Sequence, residues 1–161
     1  VVGELGKILS AFIRTIPSII VRVLIPIGMI YALSLMNLPQ EVLSYLNENL
    51  GLYSFFYGLA AMGIVISLLS FVGGILNPGS RGGLVVSLFR VFLSIYFSLY
   101  LVTLGNIGGM GKLTLKFPFI SQPSIMVSLD YTIVVYLVIV AGFLSILKCV
   151  FDWVSAKRSG V

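Results

Sequence analysis

Hydrophobic residues in this chain run in long unbroken blocks, four of which reach the roughly 20 residues a helix needs to cross a lipid bilayer. The blocks are Ile16 to Met36, Leu52 to Leu76, Leu84 to Leu104 and Tyr131 to Phe151. The second is the plainest, because the stretch from Asn49 to Ser80 contains no charged residue. Strands of a membrane barrel would alternate apolar and polar residues, whereas these blocks are apolar on all sides and therefore predict helices. Between the second and third blocks, Asn77-Pro78-Gly79-Ser80 is a tight turn that makes those spans an antiparallel hairpin.

The connecting segments show shorter periods. Glu4, Lys7, Ala11 and Arg14 recur at helical spacing, with Leu5, Ile8, Leu9, Phe12 and Ile13 on the other arc. This predicts an interfacial helix over about 3–14 that turns into the bilayer near Pro17. Pro39 and Gly51 bracket Val42, Leu43, Leu46 and Leu50 on one face, predicting an outer amphipathic helix over about 39–50. Gly105 to Gly111 is glycine-rich, and Gly108-Gly109-Met110-Gly111 within it reads as a flexible linker. After it, Lys112 to Phe117 and Ser124 to Leu129 alternate strictly about a Pro118 to Pro123 turn, which predicts a β-hairpin over about 112–129. Its apolar face (Leu113, Leu115, Phe117, Ile125, Val127, Leu129) must rest on the bundle or on another copy, since a lone hairpin is marginal in water. Asp130 suits the N-cap of the last span. The expected fold is thus an all-α integral membrane bundle of four transmembrane helices, with a small outer β-hairpin and two interfacial amphipathic helices, in one domain over 1–161.

Composition agrees: of 161 residues, 59% are hydrophobic and 9% charged, far below the charge content of soluble domains. Charge adds orientation. Lys7, Arg14, Arg22, Arg81, Arg90, Lys148, Lys157 and Arg158 fall on one side of the spans, and only Lys112 and Lys116 on the other. Eight against two puts both termini in the cytoplasm, with the cell membrane as the expected location. The net charge of +5 then reads as membrane orientation and lipid contact, not as nucleic-acid binding. Five acidic residues, no His and a single Cys149 leave little for catalysis, metal or redox cofactors, so a non-enzymatic protein without cofactor is expected. Glu41 and Glu48, on a solvated face, lack the pocket that would separate two carboxyl pKa values. The first residues are not expected to be a signal peptide, because Glu4 interrupts the basic region and no small-residue cleavage site follows a short apolar core.

Two features carry candidate chemistry. Arg22 and Arg90 each stand seventh in their spans, about 9 Å in from the inner boundary at 1.5 Å per residue. Snorkelling anchors would explain them; so would a basic inner pocket for lipid headgroups or anions. Small residues form the second feature: Ala60, Gly63, Ser67, Ser70 and Gly74 in the second span, Ser87, Ser94 and Ser98 in the third, Gly142 and Ser145 in the fourth. Such stripes let helices approach closely, here the second and third spans, or they line a narrow polar path. Arg90, Ser94 and Ser98 share one helical face, expected to meet a small polar cavity with Arg90 at its cytoplasmic mouth. Phe55, Phe56, Phe71, Phe89, Phe92 and Phe97 are expected to face lipid or partner subunits. No phosphate-binding loop, zinc signature or potassium filter is present. The expected role is a structural or accessory subunit of a membrane complex, or a self-assembling oligomer. The alternative is a homo-oligomeric channel or small-solute carrier with a weakly basic inner mouth.

Overall fold

The computed structural model describes residues 2–36, 39–77, 79–117 and 125–158. Its helices are α1 (Val2–Ile19), a five-residue π-helical turn (Ile20–Leu24), α2 (Ile25–Leu35), α3 (Gln40–Leu50), α4 (Leu52–Ile75), α5 (Arg81–Val102) and α6 (Thr132–Arg158). An antiparallel pair, β1 (Lys112–Phe117) and β2 (Ile125–Asp130), lies between α5 and α6. Among the described residues four rods are long and apolar enough to cross a membrane: Glu4–Leu35, α4, α5 and α6. We call the end carrying the Asn77–Ser80 connection the basic end, and the opposite one the hairpin end.

The first rod corrects the expectation of a separate interfacial helix followed by a span from Ile16. Helix runs unbroken from Val2 through Pro17, and the irregularity comes later, at Ile20–Leu24. Pro17 removes one ladder hydrogen bond, at a cost of about 3 kcal/mol in a helix interior, yet the helix continues through it where the rod packs on α4. The wider π turn is placed where Pro26 would otherwise press its ring on the carbonyl of Arg22. The burial pattern is also inverted from a soluble amphipathic helix. Ala11 and Thr15 are buried, while Leu5, Ile8, Leu9, Phe12 and Ile13 are 46–65% exposed, an apolar arc suited to hydrocarbon.

Close approach explains the first contact. A methyl placed on Gly63 of α4 would run into the carbonyl of Arg22, and one on Gly74 would sit 2.9 Å from Ala11 Cβ. Ser67, buried in α4, pairs its hydroxyl with Ser18 at 3.2 Å. The stripe of small residues in α4 thus packs on the first rod, not on α5 as expected. Between α4 and α5 the fit is small against large: Gly58 lies under the Tyr100 hydroxyl, and Phe55 stacks on Tyr100 with centroids 5.4 Å apart. Phe55 is only 5% exposed, correcting its assignment to a lipid face, whereas Phe89 and Phe92 are exposed as expected. Gly142 of α6 accommodates Ile95 of α5, where an added methyl would lie 2.7 Å from Ile95 Cγ1. Leu59, Ile66 and Thr103 are the most deeply buried side chains, and with Phe55 and Val135 they pack the middle and the hairpin end of the bundle.

The connections follow the sequence closely. Ser80 caps α5, accepting from Gly83 N–H at 2.9 Å while donating to Asn77 O. Pro39 precedes α3 and Gly51 ends it at φ +56°. The strands pair Leu113 with Leu129, Leu115 with Val127 and Phe117 with Ile125, so these six positions share a face as the alternation predicts. Leu129 remains 47% exposed, so the chain itself does not cover that end of the face. The turn over 118–124 lies outside the described residues, as do the side chains of Leu115, Phe117, Ile125, Glu41, Val42, Leu46 and Leu50. The connection through Gly108-Gly109-Met110-Gly111, expected as a flexible linker, has its own hydrogen bonds: Asn106 Oδ1 accepts from Gly109 N–H, and Gly111, at φ +90°, lies against the Thr132 backbone and accepts from Tyr131 N–H. Asp130 sits one residue before the cap position and accepts from both the hydroxyl and the N–H of Thr132, at 2.6 and 3.1 Å. Those two hydrogen bonds, the hydroxyl's first, hold its carboxyl below the usual carboxylate range.

Gly63→Leu should detach the first rod, lowering stability by about 1–3 kcal/mol or more through overpacking against a backbone that cannot yield. Gly28, with nothing near its α-carbon, is the matched control. Thermal unfolding in mild detergent should show a clear loss for Gly63→Leu and little change for Gly28→Leu; equal behaviour of the two would contradict the contact.

Candidate functional site

The helices pack in an open row: the first rod on α4, α4 on α5, and α5 on α6, and among the described residues the first rod and α6 share no extensive interface. Both ends of the row nevertheless line one central cavity of about 910 Å³. Its polar groups come from all four rods: Arg14, Thr15, Ser18 and Arg22; Ser70; Ser87, Arg90, Ser94 and Ser98; and Ser145. Among the described residues, no carboxylate lines it. A second cavity of about 340 Å³ shares Gly73, Ser87, Arg90, Val91 and Ser145 with the first and adds Lys148, Cys149, Asp152 and Trp153, so the space continues toward the basic end. Among the described residues, no three of His, Cys, Asp and Glu gather as a metal site would require.

Arg22 lies deeper than its sequence position indicated. Its backbone is level with Gly63, the twelfth of 24 residues in α4, hence about 18 Å from that helix's basic end at 1.5 Å per residue. Its guanidinium turns toward the basic end, 3.4 Å from Ser18 Oγ, with its carbon 5.9 Å from the Phe97 ring centroid. Arg90 is the tenth residue of α5, about 13 Å from the same end, and close enough for the two cations to repel each other. Two half-buried arginines face one cavity, and among the described residues no acid lies between them. That arrangement is costly unless water or an anion compensates it.

The serines play two parts. Ser67 is a packing residue, as expected for its stripe, together with Ala60, Gly63 and Gly74 in α4 and Gly142 in α6. Ser70, Ser87, Ser94, Ser98 and Ser145, together with Gly74 and Gly142, line the cavity, where the stripes were expected either to pack helices or to border a polar path. The hydroxyls of Ser70, Ser98 and Ser145 donate to carbonyls one turn back in their own helices at 2.8–2.9 Å. They therefore present lone pairs to the cavity, and the donors available to an anion come chiefly from the guanidinium groups. Sequence reasoning missed Thr15 and Ser18. The signal was present as Ala11, Thr15, Ser18 and Arg22, spaced four, three and four apart, but a helix boundary assigned at Pro17 cut the stripe in two.

At the hairpin end the space closes. Phe55, Leu59, Thr103 and Val135 are buried, Phe55 stacks on Tyr100 between α4 and α5, and the 48% exposed Tyr96 stacks on Tyr100 along α5. Among the described residues, the cavity lining runs toward the basic end and does not include these side chains.

In a Cys149→Ser background, Ser94→Cys should react with a charged, membrane-impermeant thiol reagent, because the thiolate forms only where water reaches it. Phe92→Cys, on the outward face of the same helix, should stay unlabelled in a bilayer. Equal labelling of the two positions would mean that the serine face is not the wet one. Comparison with protein-family models, curated proteins and solved structures returns no match, so a functional reading of this chain rests on the chemistry of the cavity itself.

Proposed function

We propose that the chain is a non-enzymatic, four-span integral membrane protein with both termini in the cytoplasm, and that its cavity holds an anionic group reached from the cytoplasmic side. The length and apolarity of the four rods support the membrane setting, and the eight-to-two distribution of basic residues supports the orientation. One observation carries the functional part: Arg14, Arg22 and Arg90 line a single cavity of about 910 Å³ that no carboxylate among the described residues lines, Asp152 bordering only the adjoining space. A guanidinium is always charged, and its planar fork of donors matches phosphate or carboxylate oxygens. An anion seated between Arg22 and Arg90 would relieve their repulsion and stabilise the chain by its own binding energy.

The packed hairpin end favours a binding site over a conducting pore in one chain. The small-residue stripe of α4 is taken up by contacts within the chain and so gives no independent support to an assembly role. Holding an anionic group suits an accessory subunit of a membrane complex and a small-solute carrier alike, and neither needs a catalytic residue.

The test is thermal unfolding in uncharged detergent, with inorganic phosphate and a short-chain phosphatidic acid as titrants. At least one should raise the midpoint of the wild-type protein, in proportion to the logarithm of its concentration above Kd. Arg22→Gln with Arg90→Gln should abolish that rise, and Arg90→Lys should weaken it, since an ammonium cannot reproduce the fork. No rise with either titrant contradicts the reading. Anion flux in liposomes that Arg90→Lys alters would replace it with a channel.

A further inference from the structure

We propose that the anionic group is the phosphate of a phospholipid of the cytoplasmic leaflet, which enters sideways between the first rod and α6 and leaves its acyl chains in the bilayer. The inference rests on the reading of the cavity as an anion site and adds the source of the anion and its route.

The open row of helices carries the argument. A soluble anion needs a watery mouth at the basic end, but a bundle made only for that purpose would close its sides. Here the first and last rods both border the cavity, and among the described residues they share no extensive interface. In a bilayer, that gap faces lipid. Its rim is apolar: Val21 on the first rod and Ala141 on α6 line the cavity and are exposed, with Leu137 alongside at 63% exposure. Cations inside and hydrocarbon-facing residues at the slot match the two halves of one amphiphile, a phosphate and its chains.

The guanidinium positions match as well. Arg14 precedes Arg22 by eight residues, about 12 Å along the rod, so Arg14, Arg90 and Arg22 grade from the basic end toward the middle. A headgroup can descend such a ladder without leaving a cation unpaired. Trp153 borders the adjoining space with Arg90, but its indole Nε1–H, which has no hydrogen-bond partner among the described residues, is shut off from that space as it is from solvent.

The experiment uses the full chain in uncharged detergent, with dioleoyl phosphatidic acid as lipid probe and inorganic phosphate as soluble probe. Native mass spectrometry reads lipid adducts, and thermal unfolding reads both probes. The wild type should hold the lipid as a one-to-one adduct, with about tenfold or greater weakening in the Arg22→Gln, Arg90→Gln pair, as expected for losing charged hydrogen bonds. Leu137→Trp adds bulk beside the slot at a position that is 63% exposed and does not line the cavity. That variant should lose the lipid adduct while keeping whatever response inorganic phosphate gives. If inorganic phosphate stabilises the wild type through Arg22 and Arg90 while the lipid forms no adduct, the anion site stands and the lipid inference falls. Lipid adducts unchanged in both the arginine and the tryptophan variants would also overturn it. Failure of both probes overturns the anion reading itself.

Discussion

Everything in this bundle follows from one close contact, the Arg22 carbonyl against Gly63. In a regular α-helix that carbonyl would accept from the N–H of residue 26, but residue 26 is proline and has none. The rod widens into a π turn at this point, and Gly63, lacking a side chain, lets α4 come close enough for its Cα–H to face the same oxygen. A π turn moves each pairing on by one residue, as Ile25 N–H reaching Ile20 O shows, so the wider turn accommodates the proline and the glycine accommodates the carbonyl beside it.

The position of the first rod follows from that contact, and the cavity follows from the rod. Gly63, Ser67 and Gly74 draw α1 along the length of α4, which places Thr15, Ser18 and Arg22 at the edge of the row opposite α6. A rod held one helix further round would close the bundle and bury the arginines against each other. Because the row stays open, Arg22 and Arg90 meet a space large enough for water or an anion. The outward arc from Leu5 to Ile13 is left exposed, an apolar surface suited to hydrocarbon.

The sequence made some of this legible and hid the rest for identifiable reasons. Block lengths located α4 within one residue, because a run of apolar residues without charge has only one use of that length. Strand alternation gave the face shared by Leu113 and Leu129, since side-chain period in a strand is independent of tertiary context. The common face of Arg90, Ser94 and Ser98 was readable from spacing, and these residues do line one cavity. Pro17 misled, because proline marks a helix boundary by propensity alone, whereas here the helix continues through it where the rod packs on α4. The stripe in α4 showed a narrow face without showing what lay against it: spacing records the width of an interface and carries no information on the partner. Trp153, with its unpartnered indole, could not have been singled out, since an orphaned donor exists only once the surrounding atoms are placed.

The account stands or falls on the first rod lying against α4 at the level of Arg22, and a disulfide tests this directly. With Cys149→Ser to remove the native thiol, Ser18→Cys and Ser67→Cys replace hydroxyls that are 3.2 Å apart, a separation two sulfurs can bridge with small rotations. Mild oxidation in native membranes should convert this pair to an intramolecular disulfide nearly completely. A pair made from exposed Ile20→Cys with Ser67→Cys should remain reduced. If the Ser18 and Ser67 positions fail to cross-link while the Ile20 pair does, the rod presents another face to α4, and both the contact with Gly63 and the arginine-lined cavity would have to be abandoned.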